Sequence, residues 1–140
     1  MTTTCPTTLL DSLSALNDIA RLRVLRLLAQ QELSVGEIAD ILQLPQSTVS
    51  RHLKVLLETE FVARRTVGTT GLYRVSDSMP RGASDLWGIA EENFSELPNT
   101  VEDNARLVAV FAQRQSDSKN FFKNISGEWE SMRRDLFGSH

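Results

Sequence analysis

Ser47, Ser50, Arg51 and Lys54 recur at intervals of three and four residues between Gln46 and Glu58. On a helix that spacing gathers two hydroxyls, a guanidinium and an ammonium on one side. Val49, Leu53 and Leu56 follow the same rhythm on the opposite side, so one face is suited to packing and the other to donating hydrogen bonds and positive charge. Such a set can grip phosphate oxygens or read base edges, with Arg51 able to pair bidentately with guanine. Gln46 and Thr48 fall in the first turn, where backbone N–H groups favour an anion. Thr48 fits a local cap as well as a contact, and His52, bordering the apolar side, is a packed or a phosphate-bonding histidine. Beyond this helix lie Arg64, Arg65 and Arg74, with Thr69 and Thr70 between them. They suit phosphate or minor-groove contact from a hairpin, although a plain solvated hairpin has the same composition.

The elements that must hold these residues can be read from neighbouring signals. Ser34-Val35-Gly36-Glu37 has the form of a capping box, predicting a short helix that ends near Leu42. Leu44-Pro45 turns the chain into the helix Gln46–Glu58. Phe61-Val62-Ala63-Arg64-Arg65 and Leu72-Tyr73-Arg74-Val75, joined through Gly68 and Gly71, form a two-stranded wing. Upstream, a helix from Leu9 to Leu16 precedes a second one from Ile19 to about Gln30, capped by Asn17 or Asp18, with Ile19, Leu22, Leu25 and Leu28 as its apolar stripe. Arg23 and Arg26 on that helix are expected to face solvent or pair with acids, with phosphate contact as a second reading. Downstream, Met79-Pro80-Arg81-Gly82 interrupts the pattern and Ser84 caps a helix through Phe94. Leu97-Pro98-Asn99 stops it, and Thr100 caps a last long helix with Glu102 and Asp103 in its first turn. The expected fold class is mainly α with a small β-hairpin, a winged helix-turn-helix with flanking dimerisation helices.

Charge partition supports this reading. The chain carries a net −3, which by itself speaks against nucleic acid. Residues 46–75 nevertheless hold five bases against two acids, whereas 1–45 hold three against five and 76–140 seven against eleven. Local charge is what a phosphate backbone feels. The one cysteine, Cys5, excludes an internal disulfide framework. Met1–Thr8 lacks the basic start and apolar core of a signal peptide, and no apolar run approaches bilayer-spanning length, which places the expected protein in the cytoplasm with no membrane partner. No nucleophile–base spacing or metal constellation suggests an enzyme, and no cofactor is expected.

Three runs together resemble the ArsR/SmtB family of winged-helix regulators: Ala20-Arg21-Leu22-Arg23-Val24-Leu25, Glu32 through Ala39, and Gln46-Ser47-Thr48-Val49-Ser50-Arg51-His52-Leu53. The resemblance covers roughly residues 9–113, leaving an arm over 1–8 and a helical extension over 114–140. It implies a homodimeric repressor on double-stranded DNA, bound to an inverted-repeat operator and released by an effector. Two departures stand out. Glu60 occupies the position where the family usually carries glycine between recognition helix and wing, so the helix is expected to end differently and tilt the wing. Ser34 and Gly36 stand where metal sensors of the family place cysteines, and residues 102–115 contain no histidine. The expected signal is therefore not a metal. Candidates are a small organic molecule in a dimer cleft near Trp87 and Phe94, a methyl-cycle metabolite among them, oxidation of Cys5, or no effector. Phe121-Phe122 through Trp129 to Gly138 also resembles the junction of members fused to a methyltransferase. The alternative reading is accordingly a regulatory or scaffolding module of such a fusion, with DNA binding secondary.

Overall fold

The computed structural model describes residues 8–117. Cys5, the aromatic run from Phe121 to Phe137 and His140 lie outside them. The chain divides into two compact units, Met1–Asn104 and Ala105–His140. In the first unit α1 (Thr8–Leu16), α2 (Ile19–Leu28), α3 (Val35–Leu42) and α4 (Gln46–Glu58) precede a hairpin of β1 (Val62–Val67) and β2 (Thr70–Val75). Then come α5 (Arg81–Glu92) and a single 3-10 turn, Phe94–Glu96. A last helix, α6, runs over 100–117 and crosses the boundary between the units.

The centre of the first unit is the packing of α2, α3 and α4 on one another. Val24, Leu25, Leu27 and Leu28 of α2, Ile38, Ile41 and Leu42 of α3, and Val49, Leu53 and Leu56 of α4 are all buried, as is Phe61. Cutting any of these leucines to alanine costs about 2–5 kcal/mol. The stripe on α2 differs from the one-turn series expected: Ile19 is 58% exposed, and the buried set begins only at Arg23. Asp18 caps α2 by accepting from the Arg21 N–H at 3.1 Å, and the helix stops at Leu28, two residues short of the expected end.

Four further boundaries are set by local chemistry. The Ser34 capping box is complete, with Ser34 Oγ accepting from the Glu37 N–H at 3.2 Å and Glu37 Oε1 accepting from the Ser34 N–H at 2.9 Å. Ser84 does not cap α5. Pro80 holds that position, and the Ser84 N–H already donates to its carbonyl at 2.8 Å, because a residue without an N–H suits a helix start. The same helix ends at Glu92, so Phe94 belongs to the 3-10 turn. Thr100 does not cap α6 either: the Asp103 N–H donates to the Asn99 carbonyl, while the Thr100 hydroxyl donates to Leu97 O and accepts from Arg26.

In the second unit, the α6 residues Val108 and Phe111 expose their side chains. No helix among the described residues is long and apolar enough to cross a membrane.

Candidate nucleic-acid interface

The left-handed turn at Gln43 (φ 58°) ends α3 and, with Pro45 at the cap of α4, starts the second helix of the pair. Pro45 has no side-chain acceptor for the first-turn N–H groups of α4, which leaves the positive end of that helix open to an anion. Burial of Val49, Leu53 and Leu56 fixes the rotation of α4. Ser47, Ser50, Arg51 and Lys54 are consequently exposed together, with Gln46 beside them. Thr48 is half-buried, and its hydroxyl accepts from Arg51 Nη2 at 3.4 Å rather than capping the helix. Among the described residues neither Arg51 nor Lys54 has a carboxylate partner.

His52 is tied inward. Its Nδ1 lies 3.3 Å from Arg21 Nη1, and the same guanidinium donates to Ala15 O at 2.7 Å and Ser14 O at 3.0 Å. Arg21 therefore satisfies the last carbonyls of α1 while touching α4. Burial pushes the His52 pKa below its ordinary 6.5; Asp18 opposes this, and Arg21 and Arg51 add to it. Nothing short-range in the sequence marks this link.

Glu60 adopts the left-handed conformation itself, at φ 64°. Its N–H donates to Leu57 O and the Phe61 N–H to Leu56 O, both at 3.0 Å. That is the bond pattern a glycine normally closes at a helix end. The helix thus ends as a glycine-terminated one would, and the different ending expected from Glu60 does not occur.

The wing divides its arginines. In the antiparallel register Arg64 opposes Tyr73, Arg65 opposes Leu72 and Arg74 opposes Ala63. Side chains alternate across a strand, so Arg65 and Arg74 share one face and Arg64 takes the other. Arg64 sits over the Tyr73 ring, 5.8 Å from its centroid, and against Gly71. A Cβ there would come within 2.5 Å of Arg64 Nη2. Arg65 is held by Glu32 through two bonds of 2.7 Å, and that carboxylate raises its pKa. Arg74 is half-buried. Gly68 supplies the positive φ of 62° for the two-residue tip, leaving Thr69 and Thr70 exposed.

Arg23 and Arg26 of α2 have a different fate. Asp103, fully buried, accepts from Arg23 at 2.8 and 2.9 Å and from Arg26 at 2.5 Å. Their expected pairing with acids is what occurs, and it is internal. Trp87 and Phe94, the aromatics expected near an effector, pack edge to face at 5.4 Å. A cleft of about 440 Å³ lies elsewhere, lined by Asp11, Glu58 and Glu60 among others.

A helix-turn-helix with an exposed polar second helix and an adjoining hairpin is the architecture of known DNA-binding regulators. Residues 18–64 match the profile described as bacterial regulatory protein, arsR family. The regulator Rv2034 of Mycobacterium tuberculosis is 39% identical over 96 residues, covering 64% of this chain and 87% of the regulator. The chain belongs to the arsR family. Similarity to the transcriptional repressor SmtB homolog of Synechocystis is 38% over 65 residues, 46% of this arsR-family chain but only 49% of that relative's length. The chain thus spans about half of the SmtB homolog. Among solved structures it is similar to reduced HlyU from Vibrio cholerae, with TM-score 0.55, 28% identity and coverage of 66% and 92%. It is likewise similar to the homodimeric winged helix-turn-helix DNA-binding domain Mb0332 from Mycobacterium bovis, with TM-score 0.55, 27% identity and coverage of 65% and 82%.

Proposed function

We propose that this arsR-family chain is a sequence-specific transcriptional regulator, a homodimeric repressor that leaves an inverted-repeat operator in response to a non-metal signal. One observation carries the reading: burial of Val49, Leu53 and Leu56 turns Ser47, Ser50, Arg51 and Lys54 outward on one face of α4. In this reading that face enters the major groove, with Gln46 and Thr48 at the phosphate-facing helix start. Arg64, Arg74, Thr69 and Thr70 reach the flanking backbone, and His52 adds a phosphate contact from the inner edge. Residues 9–113 form the binding and dimerisation domain, with 1–8 an arm and 114–140 an extension.

Dimerisation is supported by apolar side chains exposed on the single chain. Leu9 and Leu10 of α1 are 57% and 64% exposed, and Val101 at the start of α6 is 78% exposed. Pairing two copies through these helices buries them and sets two recognition helices about 34 Å apart on one side of the duplex. The repressor sense rests on the similarity to the transcriptional repressor SmtB homolog. Selection of binding sites from random duplex DNA tests the proposal, and recovered sites should be inverted repeats spanning two successive major grooves. Recovery of no common sequence would overturn it.

A further inference from the structure

Arg65 is a wing cation whose Nε–Nη2 edge is already occupied. Nε donates to Glu32 Oε2 and Nη2 to Oε1, both at 2.7 Å, a fork closed on two oxygens of one planar group. DNA phosphate presents two oxygens to arginine in the same side-by-side way. Glu32 is positioned for this by the backbone. Its neighbour Leu33 exchanges both main-chain hydrogen bonds with Tyr73, at 2.8 and 3.1 Å. Partners in such a bridge share a face, so Glu32 falls on the opposite one, with Leu72, Arg74 and Arg65. The Arg65 side chain stays 54% exposed while that of Glu32 is 20% exposed. The guanidinium is thus the accessible half of the pair.

We propose that Glu32 is a built-in phosphate mimic that holds the Arg65 fork away from DNA and so limits what the wing adds to binding. An exposed ion pair is weak, but it is intramolecular, and it cancels the guanidinium charge and takes the Nε–Nη2 edge that a side-on phosphate would use. The wild-type wing therefore gains little from Arg65, and the protein depends on α4 for its grip. This keeps affinity for arbitrary DNA low, since phosphate contacts carry non-specific binding. The inference rests on the DNA-binding reading above.

The test is a fluorescence-anisotropy titration of a selected duplex at several salt concentrations, with wild type, Glu32→Gln, Arg65→Ala, the double variant and Arg51→Ala. Releasing the fork should make Glu32→Gln bind several-fold tighter and steepen the slope of log K on log salt by about 0.9, the signature of one added phosphate contact. Arg65→Ala should change wild-type binding far less than it changes binding in the Glu32→Gln background, where it should erase the gain. Unchanged or weaker binding by Glu32→Gln overturns the inference, because Glu32 would then be idle or a brace for the wing. Circular dichroism accompanies each variant, with Glu32→Ala as the second substitution; loss of fold in both also overturns it. If wild type and Arg51→Ala alike fail to bind the duplex, the DNA-binding reading has failed instead.

Discussion

Helices α2 and α4 share a vocabulary, aliphatic residues at helical spacing with arginines among them, and use it in opposite ways. In α4 the aliphatic side chains are buried, and Arg51 and Lys54 remain outside. In α2 two of the three arginines are buried too, Arg23 and Arg26, at 8% and 5% exposure. The difference lies in a carboxylate distant in sequence: Asp103, 80 residues from Arg23 and 77 from Arg26, enters the interior with α6 and meets both guanidiniums. Two positive groups around one buried acid fasten the start of α6 to α2. Arg23 Nη2 also reaches the Leu42 carbonyl at the end of α3, at 3.5 Å. Arginine on a helix therefore serves structure in one place and is left available for a partner in the other, and only the surroundings decide which.

The comparison is broken most severely by removing the acid. Asp103→Ala leaves two guanidiniums uncompensated in the interior and should cost about 3–5 kcal/mol, read as a large drop in the denaturation midpoint; a change within error would mean that the cluster is not holding the fold. Next comes the exposed helix. Arg51→Ala should weaken operator binding by about 1–3 kcal/mol with an unchanged circular dichroism spectrum. Lys54→Ala should lower the salt slope by about 0.9.

A smaller effect follows from His52, which lies between the two helices. Its folded pKa is depressed, so protonation favours the unfolded chain. Stability tied to the neutral ring is complete above 6.5 and is lost as pH falls below that value toward the folded pKa. Wild type should lose more stability than His52→Asn over that descent, and parallel profiles would remove His52 from the account. The smallest effect concerns the end of α4. Glu60→Gly relieves the left-handed strain and should raise stability by up to about 1 kcal/mol; a clear loss would show that the Glu60 side chain contributes something the backbone does not reveal.

Much of this arrangement was legible in residues that act locally. The Ser34 box, the span Gln46–Glu58 and its buried stripe are set by neighbours within four positions, and all are found as read. The hairpin was also visible, since its aromatic and aliphatic strands flank a glycine turn. What could not be read is long-range. No pattern near Arg65 points to Glu32, 33 residues earlier, and none near His52 points to Arg21. Ile19 was read as core because spacing alone cannot report where a helix first meets its neighbours. A hydroxyl at a helix start is the commoner solution, which is why Ser84 and Thr100 look like caps in the sequence. Here Pro80 and the left-handed Asn99 supply the starts instead.

The central claim is that α4 presents a sequence-reading surface in each half of a dimer. Titration of wild-type protein against a selected inverted-repeat duplex and a scrambled one of equal length tests it most directly. Two protomers should bind per duplex, with affinity for the selected site greater by roughly 10³-fold or more. Equal affinity for the two duplexes, or a single protomer bound, would contradict it.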